Sequence, residues 1–435
     1  MSFINLSQVG FGDTQSVDAF GRLRVSNPTT LFDSQQEYGL DTLRLWDATA
    51  NGTLVSAPSS NGSVTSGSNA VGPRDTNTRM TPITVSTTNG HYSILQSRQY
   101  PRYIPGSSHL VFVTGVFTTG ANPTASIVRR SSTSGSVVDT GTGVKVPQTE
   151  WNIDGFGAVG NTNNPSGKTI DFTKAQILFI SAQWLGVGRV IVGFDIDGML
   201  YPAHQYLNAN VLAVPYTQTF DLPVRMETRN TGASTCVTRA GYFDSANGIY
   251  LENSVTTAGG TAYFNCCSVK SEGGIEARGF PNSSPVGITT TAVTTRRPVL
   301  SIRPKATYNS VTNRAHIEEI EYLLRATTND SFVEVVIGGT LTGAAFTSVS
   351  ANSVAEYDTT ATAISGGESI IKGFALSGSG SSALTAKGET DIRSPLTLSQ
   401  IDALTATQTP ISIVCTSFSG TSNVTAIMNW HEQVV

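Results

Sequence analysis

The run Arg189-Val190-Ile191-Val192-Gly193-Phe194-Asp195-Ile196-Asp197 reads with a period of two. On a pleated strand Val190, Val192, Phe194 and Ile196 project to one side, and Arg189, Gly193, Asp195 and Asp197 to the other, with Ile191 among the latter. One face is core and the other is wet. Runs of this kind recur at short spacing, bounded by Gly, Pro or Asn. They are Ile83 to Ser86, Tyr92 to Gln99, His109 to Thr118, Ala125 to Ser131, Gly143 to Val146, Lys174 to Ala182, Leu222 to Arg229, Thr235 to Phe243 and Thr261 to Val269. Within them Leu110 to Phe117 is apolar on both faces, as a strand between two packed layers is. Strands in series without alternating helical patterns predict an antiparallel sandwich rather than a parallel sheet.

A second set follows: Val299 to Arg303, Ile317 to Ala326, Phe332 to Ile337, Ser353 to Tyr357, Ser369 to Leu376, Ile411 to Phe418 and Asn423 to Trp430. In Ile317 to Ala326 the residues Ile317, Ile320 and Leu324 also fit a helical stripe, but neighbouring strands favour strand. Ser399 to Leu404 reads as a single helical turn capped by Ser399. The fold class is therefore all-β: two antiparallel, jelly-roll-like β-sandwich domains preceded by an extended N-terminal docking segment.

The expected boundaries are residues 1–47 for that segment, 48–280 for a large sandwich, 281–297 for a linker rich in Pro, Ser, Thr and Gly, and 298–435 for a smaller sandwich. Residues 51–77, almost wholly Gly, Ser, Thr, Asn, Ala, Val and Pro, are expected to form a weakly ordered surface excursion. The docking segment gathers early charge around apolar anchors. Its candidate assembly contacts are Phe20, Arg22, Leu23, Arg24, Phe32 and Trp46, with coverage of its own sandwich edge as the competing role.

Composition excludes several functions. Of 435 residues 13% are charged, and the net charge is −4, against roughly 25% charged in a typical soluble chain. A basic, phosphate-neutralising nucleic-acid binder is ruled out. With 39% hydrophobic residues the chain is also unlike a disordered one. No apolar run reaches the ~20 residues of a membrane span, so no membrane insertion is expected. The first twelve residues lack the pattern of a secretory leader. Cys236, Cys266, Cys267 and Cys415 are spaced poorly for a disulfide framework and read as small buried hydrophobes.

Chemical motifs are weak. Asp195-Ile196-Asp197-Gly198 opens like a calcium loop, but the twelfth position, which needs Glu, is Tyr206. Two solvated carboxylates leading into a Gly turn is the plainer reading. Gly186-Val187-Gly188 suits a hairpin better than a phosphate cradle. His91, His109, His204, His316 and His431 are scattered without metal-ligand spacing. Carboxylate pairs such as Asp154 with Asp171, or Glu318 with Glu321, could serve glycoside hydrolysis only if the fold set their separation. No Gly-X-Ser-X-Gly elbow is present. Tyr92, Tyr100, Tyr103, Trp151, Trp184, Tyr201, Tyr206 and Tyr216 fall at strand ends and in loops, where exposed rings would stack on sugars, although most are expected to pack in the core.

Val17-Asp18-Ala19-Phe20-Gly21-Arg22-Leu23-Arg24-Val25-Ser26, continuing through Pro28 to Leu31-Phe32-Asp33, resembles the opening of a family of structural proteins from tailed-bacteriophage virions. The likeness continues in Arg129-Arg130-Ser131-Ser132, Gln183 to Val190, Leu222-Pro223-Val224-Arg225, Leu300 to Pro304 and Gly339 to Ala344. The resemblance implies a non-enzymatic virion component, a tail, baseplate or fibre-type appendage, with a head decoration or head fibre as alternative. It implies no catalytic residue, metal or cofactor. Exposed strand edges favour closure by symmetric assembly, so a homo-oligomer, trimer first, and other virion proteins are the expected partners. A lectin-like receptor-binding module contacting host-surface glycan is the rival reading.

Overall fold

The computed structural model describes residues 16–17, 23–24, 28–36, 45–54, 64–66, 69–118, 120, 123–131, 144–273, 279–377, 386–389 and 408–433. The chain divides into two compact units, Met1–Glu276 and Ala277–Val435. Every strand ladder among the described residues is antiparallel, and one 3-10 turn, Gln148–Glu150, is the sole helical element there.

Unit 1 is a sandwich of a nine-stranded and an eight-stranded sheet. The first runs in the order Met199–Tyr206, Val190–Ile196, Ala175–Ala182, His109–Val116, Gly260–Ser271, Thr81–Val85, Asn69–Val71, Val64–Ser66, and Thr29–Gln35 joins the far half of Gly260–Ser271. The second runs Val144–Pro147, Thr124–Ser131, Asn247–Val255, Thr235–Phe243, Val224–Gly232, Tyr92–Ser97, Trp46–Ala50, Thr53–Leu54. Alternation turns Val190, Val192 and Phe194 inward against Leu178, Ile180 and Val113 of one sheet and Ile127, Leu251, Met226 and Tyr242 of the other. Asp195 and Ile191 stay on the half-exposed face. Gly193 sits at a bulge where a Cβ would come within 2.2 Å of the Tyr201 carbonyl oxygen, so only glycine fits.

Unit 2 packs a six-stranded sheet on a five-stranded one. Arg297–Pro304, Ile411–Ser417 and Ser331–Ile337 lie at the centre of the six-stranded sheet, and Thr421–Gln433 and His316–Ala326 at the centre of the other. Leu300, Ile302, Val333, Val335 and Ile413 meet Ile317, Leu324, Met428 and Trp430 in the core. The helical stripe of Ile317, Ile320 and Leu324 has a β-sheet cause. A register shift between Glu318 and Glu321 inserts one residue, so Ile317 and Ile320 both face inward before Tyr322 and Leu324 resume the period of two.

Three expectations are corrected. Residues 281–297 are not a linker: Phe280–Ser283 and Gly287–Ala292 pair in series with Thr421–Gln433, and Arg297 opens a central strand. The β-branched run Ile288 to Thr291 alternates buried and exposed side chains, and Pro281 stands on an edge strand where its missing N–H is tolerated. Residues 1–47 are not all a separate segment, because Thr29–Gln35 and Trp46–Ala50 are ladder strands of unit 1. Within residues 51–77, Asn69–Val71 is a strand with Asn69 and Val71 buried, and the Asn69 side chain accepts a hydrogen bond from the Ser86 amide (2.8 Å). The helical turn at Ser399 lies outside the described residues.

Candidate functional site

Of the six candidate contacts, Phe20 and Arg22 lie outside the described residues. Leu23–Arg24 pairs with Ser16–Val17 in a two-stranded hairpin. Phe32 and Trp46 come together, but as core. Their rings are 5.8 Å apart edge to face, Trp46 meets Phe264 at 5.1 Å, and the indole N–H donates to Ser34 Oγ at 3.0 Å. Both are buried, so the structure assigns them to covering unit 1 itself, not to a docking surface. Charged neighbours concealed this, because Asp33 and Asp47 occupy the opposite face of the same strands.

The motifs behave as turns. Asp197 and Gly198 take positive φ of 58° and 82° between paired Ile196 and Met199, and the Gly198 amide donates to Asp195 Oδ1 at 2.9 Å. This is a two-residue hairpin of the primed kind. In the loop after Ala175–Ala182 the Gly188 amide donates to the Trp184 carbonyl at 2.6 Å, and a Cβ on Gly188 would fall 1.4 Å from the Gln183 oxygen. Asp154 is buried and accepts from the amides of Phe156 (2.7 Å) and Ser166 (3.0 Å), and Asp171 closes an Asx turn onto Thr173 (2.9 Å). Glu318 accepts from the Gln433 amide group at 2.5 Å. Among the described residues no group of three or more His, Cys, Asp or Glu could hold a metal ion. Burial raises the thiols of Cys236 (to about 11), Cys415 (to about 12) and Cys267, which keeps them protonated.

The densest cluster of ionisable groups is one that reading along the chain missed. On the face of the eight-stranded sheet away from the core, Arg225, Glu227, Arg239, Glu252 and Lys145 form a cross-strand ladder. Glu227 Oε2 accepts from Arg225 Nε (2.9 Å) and Nη2 (2.6 Å), and its Oε1 accepts from Arg239 Nη1 (2.9 Å). Arg239 Nε continues to Glu252 Oε2 (2.8 Å), whose other oxygen accepts from Lys145 (2.6 Å). Phe243 and Tyr250 lie under the two guanidinium groups at 5.5 Å and 5.4 Å. Burial alone would raise Glu227, but Arg225 and Arg239 outweigh it and hold the carboxyl at about 2. Glu252 is lowered in the same way, burial being overcome by Arg239 and Lys145. Both carboxylates are ionised with every oxygen engaged. Neither can supply the raised, protonated carboxyl that glycoside hydrolysis needs.

Of the loop rings, Tyr100, Tyr103, Trp151, Tyr206 and Tyr216 are buried. Tyr103 is the hub of a packed cluster, edge to face with His109, Trp184 and Phe220 at 5.4 to 5.5 Å. The His109 ring bridges the Arg102 carbonyl and the Tyr242 hydroxyl, each 3.2 Å away, and burial lowers its pKa to about 4. These rings are spent on the core.

Exposed rings are found instead on unit 2. Phe332 and Phe374 stand opposite each other on Ser331–Ile337 and Glu368–Ala375 with centroids 6.1 Å apart, and Phe418 continues the row at 5.6 Å. Phe374 is 60% and Phe418 53% exposed, and Leu376 beside them is exposed as well. Asp330 fixes the end of this strip: its carbonyl accepts from the Phe418 amide (2.9 Å), and its carboxylate from the Ser377 amide (2.6 Å) and hydroxyl (2.9 Å). Next to it Glu334 is paired with Arg296 (2.8 Å) and accepts from the Ser369 hydroxyl (2.5 Å).

The fold and these surfaces define an all-β, two-unit sandwich protein whose densest charge cluster is satisfied internally. No protein-family model and no curated protein matches the chain. Among solved structures it is similar to a lectin from Bauhinia forficata in complex with GalNAc, at 10% identity over 55% of this chain and 97% of that one, TM-score 0.17. A Bacillus licheniformis beta-glucanase gives 10% over 56% and 98%, TM-score 0.18, and the Faustovirus major capsid protein 10% over 98% and 88%, TM-score 0.09. At such scores none carries an argument about this chain.

Proposed function

We propose that this chain is a non-enzymatic structural component of a tailed-phage virion, a tail, baseplate or fibre-type appendage protein that works through symmetric protein–protein assembly. The observation that carries the reading is the fixed strip of Phe332, Phe374 and Phe418 on unit 2. Large rings left in water at a sheet margin cost solvation free energy, and a partner surface recovers it. Aromatic side chains of this kind are common anchors of protein interfaces. The ion-pair ladder of unit 1 supports the same view, since its carboxylates are committed to holding strands together. The resemblance at residues 17–33 supplies the particle. The partners are other virion proteins and further copies of the chain.

The test is incorporation. Particles assembled with F374S/F418S in place of the wild-type chain should lose it, while the isolated variant keeps the circular dichroism and melting of the wild type. Normal incorporation of a folded double variant would remove the observation on which the reading stands.

A further inference from the structure

Residues 207–215 invert the usual arrangement of a surface loop. The polar residue Asn208 is buried: its Nδ2 donates to the Gly188 carbonyl at 2.6 Å, its Oδ1 accepts from Arg129, and its own carbonyl accepts from the Val211 (3.2 Å) and Leu212 (3.1 Å) amides. The Tyr216 amide donates to the Gly186 carbonyl at 2.9 Å, so the loop is tied at both ends to the hairpin at 183–189. Beneath it the Arg129 guanidinium lies 5.0 Å from the Tyr206 ring centre and 5.5 Å from that of Tyr216. Leu212 packs against the core, but the other large aliphatic side chains face out, with Leu207 61%, Val211 72%, Val214 68% and, on the hairpin, Leu185 54% exposed. A loop that uses its polar atoms to hold apolar ones in water has been built to present them.

We propose that this apolar tip is a self-association surface, and that its partner is the same tip on a second copy of the chain. Contact across a symmetry axis sets a patch against its own equivalent, so charge on the patch would meet like charge. Among residues 183–189 and 207–216 Arg189 is the single charged side chain, although the chain as a whole has net charge −4. The four side chains expose roughly 400 Å² together, the size at which a monomer's patch is commonly functional and about half of the ~800 Å² each partner gives to a standard interface. Polar rim residues supply the remainder. This inference rests on the reading of the chain as an assembly protein and names the surface through which its copies meet.

The experiment is sedimentation velocity of the full chain over a concentration series, comparing wild type, V211E/V214E and the control V311E, whose site is 66% exposed on unit 2. Wild type and V311E should form the same oligomer. V211E/V214E should weaken it roughly thirtyfold or more, as loss of an interface anchor does, with an unchanged melting curve. A monomeric wild type at tens of micromolar, or an oligomer that survives V211E/V214E, overturns the inference and points the tip at a different protein or at lipid. If the oligomer survives while F374S/F418S still abolishes incorporation, the self-association surface falls and the assembly function stands. If F374S/F418S incorporates normally while V211E/V214E dissociates, the reverse holds.

Discussion

Replacing Arg239 by Met would remove the guanidinium that joins Glu227 to Glu252 while keeping most of its bulk. Taking one partner from a buried ion pair costs about 3–5 kcal/mol, mainly because the remaining charge is left without compensation. Here the orphaning is incomplete. Glu227 keeps two N–H donors of Arg225, at 2.9 and 2.6 Å, and Glu252 keeps Lys145 at 2.6 Å. The Lys145 side chain is half exposed, so solvent weakens what it returns. The loss should therefore fall at the lower end, about 3 kcal/mol. The assay is urea unfolding followed by tryptophan fluorescence, since Trp46, Trp151 and Trp184 all belong to unit 1. Adding E252L removes the carboxylate that R239M strands and leaves Lys145 free to hydrate, so the double variant should recover about 1 kcal/mol or more. A loss below about 1 kcal/mol for R239M, or a double variant worse than the single, would refute the view that this ladder holds the sheet together.

Acid should weaken unit 1 in two steps. Burial keeps the His109 imidazole at about 4 against an ordinary 6.5, so between those values the unfolded chain binds a proton that the folded one does not. Stability then falls as pH drops through that window, by about 3 kcal/mol. Glu227 acts below it: its contribution is complete above the unfolded value near 4.5 and is lost as pH falls towards about 2. An NMR titration showing His109 protonated near pH 6.5 would contradict the first step. At Gly188 a methyl group has no room beside the Gln183 carbonyl, whereas nothing lies within 4 Å of a Cβ at Gly373. G188A should cost about 3 kcal/mol and G373A should be neutral or stabilise by up to about 1 kcal/mol, as thermal melts of the two variants can check.

Much of the fold was legible because pleated strands write their two faces into alternate residues. Alternation marks Thr235–Phe243 with its observed bounds, and Val190–Ile196 within a residue at each end. Other elements were hidden for stated reasons. Met199–Tyr206 escapes the reading because Pro202 interrupts it and its burial barely alternates, although the Asp197-Gly198 turn before it is a strong hairpin signal. Asn247–Val255 escapes the reading because both its faces are buried, one in the core through Ile249 and Leu251, the other in the ion-pair ladder through Tyr250 and Glu252. The ladder itself was illegible in one dimension. Glu227, Arg239 and Glu252 are far apart in sequence and meet only through strand register. Phe32 and Trp46 mislead in the opposite direction: their charged neighbours suggest outward anchors, whereas alternation turns them inward. Removing residues 1–47 therefore takes away a ladder strand and a core indole, and does not isolate docking from folding.

The role proposed for the chain is that of a part of an assembled particle. Mass spectrometry of density-purified phage particles tests it most directly. That role predicts the chain at a fixed, symmetric copy number with Phe374 and Phe418 protected from labelling. Particles that lack the chain, or a purified chain that turns over a polysaccharide, would contradict it.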